Sequence, residues 1–139
     1  MIELENKTSL NIGIDLLESI ANEFSNKLIE LIITNNSEIK QINKEYRNID
    51  KETDVLSFPY EDMPMSPLGS IVISSDFVEK IASELSHSQE DEFTLLFIHG
   101  LLHLLGFDHE VDNGEMREEE LRLIEKYNLP KSLIVRTQG

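Results

Sequence analysis

The 139-residue chain has no cysteine and no tryptophan, only four prolines and six glycines, and 12 basic side chains against 27 acidic ones. Without cysteine there can be neither a disulfide framework nor a thiolate metal site, so any tight metal site must be built from histidine and carboxylate. No segment reaches the roughly 18 apolar residues that a membrane helix needs, and the opening MIELENKTSL has no basic region or unbroken apolar stretch of the kind that directs export. These absences predict a soluble, unexported, cytoplasmic protein with no membrane partner. The net charge of -15 repels polyanions at long range and, taken alone, argues against nucleic acid.

What is present suits one domain over residues 1–139. The apolar fraction of 40% can build one core, and there is no repeat, low-complexity tract or Gly/Ser-rich linker. Ile2 and Leu4 alternate with polar residues in a short strand pattern. Leu16, Leu17, Ile20, Ala21 and Phe24 recur at helical spacing, and Leu28 to Thr34 is compact, β-branched and strand-like. Asn35, Asn36 and Ser37 supply cap chemistry for a helix through about Tyr46. VLSFPY and GSIVIS read as two further strands, with Pro59 marking an edge or strand end, and EDMPMSPLG between them as an exposed loop beside a cleft.

Three helices follow: one carrying Phe77, Val78, Ile81 and Leu85, one over Glu92 to Leu105 ended by Gly106, and one from about Asn113 to Tyr127 closed by Pro130. Early strands and late helices predict an α+β fold, a small mixed four-stranded sheet packed with about five helices.

The chemistry concentrates in HGLLHLLGFDH. His99 and His103, at i and i+4 on the predicted helix, project from one side within reach of a common ion. Gly106 permits the left-handed turn that lets His109 approach as a third ligand. Three neutral imidazoles at about 2.0–2.1 Å leave a fourth tetrahedral position open, as catalytic zinc sites do. The expected cofactor is one zinc ion per chain, although histidine ligands also suit nickel, cobalt and copper. The spacing HxxxHxxGxxH is that of the metzincin proteases, so the segment reads as a metzincin-like metal helix. Those proteases carry a glutamate directly after the first histidine as general base, whereas this chain has Gly100.

Other polar residues carry two readings. Lys40, Lys44, Arg47 and Lys51 are spaced to share a face wherever the segment is helical, as a nucleic-acid stripe or an ordinary solvated face interrupted by Glu38 and Glu45. Asp108 either orients an imidazole or forms the turn after Gly106, and Ser57 either lines the cleft or satisfies backbone. His87 fits no part of the spacing and reads as an exposed helix-end residue. Glu115, Glu118, Glu119 and Glu120 read as a solvated helix face.

HGLLHLLGFDH, together with NKEYRNIDKETDVLSFPY and LGSIVIS upstream, resembles the YbeY family of bacterial endoribonucleases and rRNA maturation factors over roughly residues 29–124. The chain departs from the family in having Ser70 where an aspartate usually follows the glycine. The resemblance implies a metal-dependent, single-strand-preferring endoribonuclease acting in 16S rRNA 3′-end maturation and ribosome quality control. It further implies His99, His103 and His109 as metal ligands and Arg47 and His103 as catalytic residues. Single-stranded rRNA, small ribosomal subunit components and an assembly GTPase are the implied partners. The alternatives are a ribosome-assembly factor with a mainly structural metal and a metzincin-like metalloprotease.

Overall fold

A computed structural model describes residues 1–108 and 110–130 of the chain. The order of elements is β1 (Ile2–Asn6), α1 (Asp15–Asn22), β2 (Ile29–Thr34), α2 (Asn36–Arg47), β3 (Val55–Pro59), β4 (Gly69–Ser74), α3 (Ser75–Leu85), α4 (Gln89–Leu104) and α5 (Glu115–Lys126). This is the expected α+β architecture, with four strands in one sheet and five helices among the described residues. Strand order is β1-β2-β4-β3; β1, β2 and β4 run parallel, and β3 is antiparallel to β4, so the sheet is mixed. The parallel β1–β2 pair needs a crossover, and α1 provides it. Pro59 ends β3, which is an edge strand, where a missing N–H breaks no ladder on its open side.

Strand alternation sorts the two faces. Leu31 and Ile33 of β2 and their register partners Ile71 and Ile73 of β4 are fully buried in the main core with α1 and α4. On the other face, Val72 and Leu56 pack against Ile39 of α2 in a smaller cluster. Thus α2 covers one side of the sheet while α1, α4 and α5 contribute to the core on the other.

Local sequence sets the helix ends. Asn35 caps α2, its side chain accepting from the Glu38 N–H, and Asn48 closes it in the left-handed region with φ 58°. Ser88 caps α4 in the same manner by accepting from Asp91 N–H, so α4 begins three residues before the expected Glu92. The α1 helix stops at Asn22, and Phe24 packs against the core from the turn beyond it.

α4 is the central element. Phe93, Leu95, Leu96, Phe97, Ile98, Leu101, Leu102 and Leu104 are all buried, so the helix is enclosed nearly all round. Each such side chain contributes about 1.5–3 kcal/mol relative to exposure. The anchoring explains how the C-terminal turns of α4 can present polar groups at a fixed place. Among the described residues, no helix is long and apolar enough to cross a membrane.

One expectation fails at the start of α4. His87 is not an exposed helix-end residue: its side chain is only 2% exposed, and Nε2 lies 2.9 Å from Oε1 of the fully buried Glu92. The left-handed Ser86, φ 57°, turns the chain back between α3 and α4 and folds His87 inward.

Candidate functional site

A groove of about 580 Å³ runs between the edge strand β3 and the C-terminal end of α4. Its lining includes Arg47, Asp54, Ser57, His99, His103 and Asp108. Each arrives by a separate structural cause. Arg47 is the last residue of α2, and the loop after it is held back because Asn43, buried in α2, donates Nδ2–H to the Lys51 carbonyl at 2.8 Å. Lys51 therefore lies past the helix end, and the basic face of α2 comprises Lys40, Lys44 and Arg47, all exposed. Asp54 enters β3; its Oδ1 accepts the Val55 N–H at 2.8 Å, while its carbonyl accepts from Ser74 N–H.

His99 and His103 extend from the buried α4 with their Nε2 atoms 3.1 Å apart and their rings edge to face. Two imidazole nitrogens each about 2.0–2.1 Å from one tetrahedral ion stand roughly 3.3 Å apart, so this pair fits a divalent metal with little rearrangement. Gly106 follows at φ 97°, a conformation suited to glycine, and reverses the chain after α4 as the sequence predicts. His109, the third predicted ligand, lies outside the described residues. Asp108 makes a turn: its Oδ1 accepts from Glu110 N–H at 3.0 Å while its carbonyl accepts from Val111 and Asp112.

Gly100, between the two histidines, faces the sheet. A Cβ there would stand 2.9 Å from Ile71 Cγ2 and 3.1 Å from Ser57 Oγ. The position that carries the general-base glutamate in metzincins thus has no room for a side chain, which weighs against a protease. Ser57 fills both of its readings: its hydroxyl donates to the Gly100 carbonyl at 3.1 Å, and the residue lines the groove. Ser70 lies on the opposite face of β4, hydrogen-bonded to Glu30 Oε2 at 2.8 Å and Tyr60 Oη at 2.7 Å, and is not in the groove lining.

Glu115, Glu118, Glu119 and Glu120 of α5 do not form one solvated face. Glu115 and Glu118 are exposed and Glu119 pairs with Arg122, but Glu120 is buried with Oε1 2.9 Å from His99 Nδ1. Glu120 shares the inner stripe of α5 with Met116, Leu123 and Ile124 at helical spacing. That periodicity was the available signal, and the run of three consecutive glutamates concealed it.

The sheet, the enclosed helix and the histidine-and-arginine groove define an α+β protein with an enzyme-like site at the sheet edge. A family model described as Endoribonuclease YbeY matches residues 3–128. The chain is 63% identical over 139 residues to the endoribonuclease YbeY of Sulfurimonas denitrificans, covering 100% of both chains. It is 64% identical over 138 residues to that of Aliarcobacter butzleri, covering 98% of this chain and 99% of the relative. The solution structure of TM1509 from Thermotoga maritima matches with TM-score 0.63 and 30% identity over 91% of this chain and 88% of that one. The chain belongs to the endoribonuclease YbeY family.

Proposed function

We propose that the groove is the active site of a metal-dependent endoribonuclease that cleaves single-stranded RNA, with the 3′ end of 16S rRNA as its substrate in maturation and in ribosome quality control. The observation that carries this reading is the His99–His103 pair, 3.1 Å apart at Nε2, in the same groove as Arg47. His99, His103 and His109 would hold one zinc ion, which supplies Lewis-acid polarisation of a phosphoryl oxygen. Arg47 offers a planar fork of N–H donors to the scissile phosphate, holding two of its oxygens and stabilising the extra negative charge that develops as phosphorus becomes five-coordinate. Strand β3, fixed to α4 through Ser57, forms the wall against which the RNA backbone is oriented. The net charge of -15 opposes free RNA binding, so small-subunit components and an assembly GTPase are the proposed means of bringing the protein to its substrate.

The test is cleavage of a labelled rRNA 3′-end fragment by metal-quantified wild type, His103→Ala and Arg47→Ala proteins, each first shown to be folded, with mass analysis of the new ends. Loss of cleavage in both variants supports the reading. A 2′,3′-cyclic phosphate opposite a 5′-hydroxyl would identify the RNA's own 2′-hydroxyl as nucleophile, whereas a 3′-hydroxyl opposite a 5′-phosphate would identify water. Equal residual cleavage in all three samples indicates a contaminant and removes the assignment. The acidic charge favours a second reading, an assembly factor whose metal is structural; one bound metal and no cleavage by wild type would select it.

A further inference from the structure

A glutamate on the inner stripe of a helix must be explained, because burying a carboxylate without partners is unfavourable. Glu120 lies between Met116 and Leu123 on the buried face of α5, and its side chain is 8% exposed. Oε1 is 2.9 Å from Nδ1 of His99, a residue 21 positions earlier on another helix. Where Glu120 accepts in this contact, His99 Nδ1 is the donor, and a neutral His99 then keeps its lone pair on Nε2. That is the nitrogen 3.1 Å from His103 Nε2.

We propose that Glu120 is a positioning residue: it holds His99 in the Nδ1–H form, with ring orientation fixed, so that Nε2 is presented with His103 Nε2 to one divalent cation. The inference rests on the metal reading given above and assigns to α5 a part in the site. A histidine ligand whose second nitrogen donates to a carboxylate is both more basic and less free to rotate, and loss of such a partner lowers metal affinity by roughly 10–100-fold. The apolar neighbours Met116, Leu123 and Ile124 set the depth of α5 against the core, and so the height of the carboxylate beside the ring.

The experiment compares wild type, Glu120→Gln and Glu120→Ala by two readouts. The first is zinc affinity by chelator competition on protein whose fold is verified by circular dichroism and thermal melting. The second is the tautomer of His99 in the metal-free protein, read from its ¹⁵N chemical shifts. Expected are an Nδ1–H His99 in wild type, loss of that preference in Glu120→Ala with a roughly 10–100-fold weaker zinc affinity, and a smaller loss in Glu120→Gln, whose amide oxygen can still accept. A merely structural glutamate would lower the melting temperature without moving either readout. Wild type that binds zinc stoichiometrically while folded Glu120→Ala binds equally tightly overturns the role of Glu120 alone. Wild type that takes up no zinc overturns the metal reading and this inference with it. A His99 protonated on Nε2 in wild type overturns the inference whatever the metal result.

Discussion

Ser57 on the edge strand donates its hydroxyl to the carbonyl of Gly100 at 3.1 Å, 43 residues further along the chain. The contact exists because position 100 has no side chain: the helix rests directly on the strand, with Ile71 beneath it. The geometry of His99 on one side of Gly100 and His103 on the other is therefore referred to the sheet.

Gly100→Ala should cost about 1–3 kcal/mol, the usual result of forcing a methyl into a filled core, because Ile71 is fully buried and has little freedom to yield. Thermal melts measure the cost. RNA cleavage should fall in the same variant even at temperatures where it is folded, since α4 must lift away from β3. A Gly100→Ala protein with wild-type stability would show that the helix does not rest on Ile71 as closely as described. Gly100→Glu should fold worse still and gain no peptidase activity.

The His87–Glu92 pair offers a stability test independent of the groove, since neither residue is in its lining. Glu92→Ala removes the Oε1 partner of a buried imidazole, at about 1–3 kcal/mol. Denaturant unfolding should show the loss, with cleavage of RNA by the folded fraction unchanged. The double variant His87→Leu/Glu92→Leu should recover part of it, because apolar replacement of both partners removes the desolvation cost as well. A double variant no more stable than Glu92→Ala would count against this account.

Alkaline stability should depend on Tyr127. Burial pushes its phenol pKa up to about 12 from 10.0, assisted by the hydrogen bond to Glu23. Because the folded value is raised, the stabilisation is fully present below about pH 10 and lost as pH rises towards about 12. Burial alone would raise Glu23, but hydrogen bonds from Tyr127, Lys126 and Arg122 outweigh it and hold the carboxyl below its usual 4.5. That contribution is present above pH 4.5 and lost as pH falls further. The cluster joins the end of α1 to α5 near the surface, so the effect is modest, at most about 1 kcal/mol. Tyr127→Phe should flatten the stability profile above pH 10, and a profile identical to wild type there would remove Tyr127 from the alkaline transition.

Much of this was legible in local sequence because its causes are local. Asn35 caps α2 by reaching three residues ahead, Gly106 takes the backbone angle the turn demands, and His99 and His103 share a side at i and i+4. The features that escaped depend on contacts between distant elements. Glu120 is buried only once α5 docks beside α4, and nothing in three adjacent glutamates marks which one faces inward except its distance from Met116 and Leu123. His87 is drawn inward by a left-handed residue that is serine, not the glycine that would have announced the turn. The joining of Ser70 to Glu30 and Tyr60 likewise needs β2, β4 and the chain after β3 to be assembled first.

Lys40 and Lys44 should separate from Arg47 in their effects on RNA. All three are exposed on α2, but only Arg47 is part of the groove that holds His99 and His103. The two lysines line a shallow depression with Glu45 and Asp50, whose charges oppose theirs. Their contacts to an RNA backbone would be sequence-independent and exchanged for released counterions. Each lysine-to-alanine change should weaken binding of a single-stranded oligonucleotide and reduce the slope of log affinity against log salt by about 0.7, with little change in kcat. Arg47→Ala should instead lower kcat by roughly 10²–10³, the scale seen when one donor to a transition-state oxyanion is lost. Titrations at several salt concentrations with single-turnover kinetics distinguish the two effects. An unchanged salt slope in the Lys40→Ala/Lys44→Ala protein would confine the RNA path to the groove and leave the basic face of α2 an ordinary solvated surface.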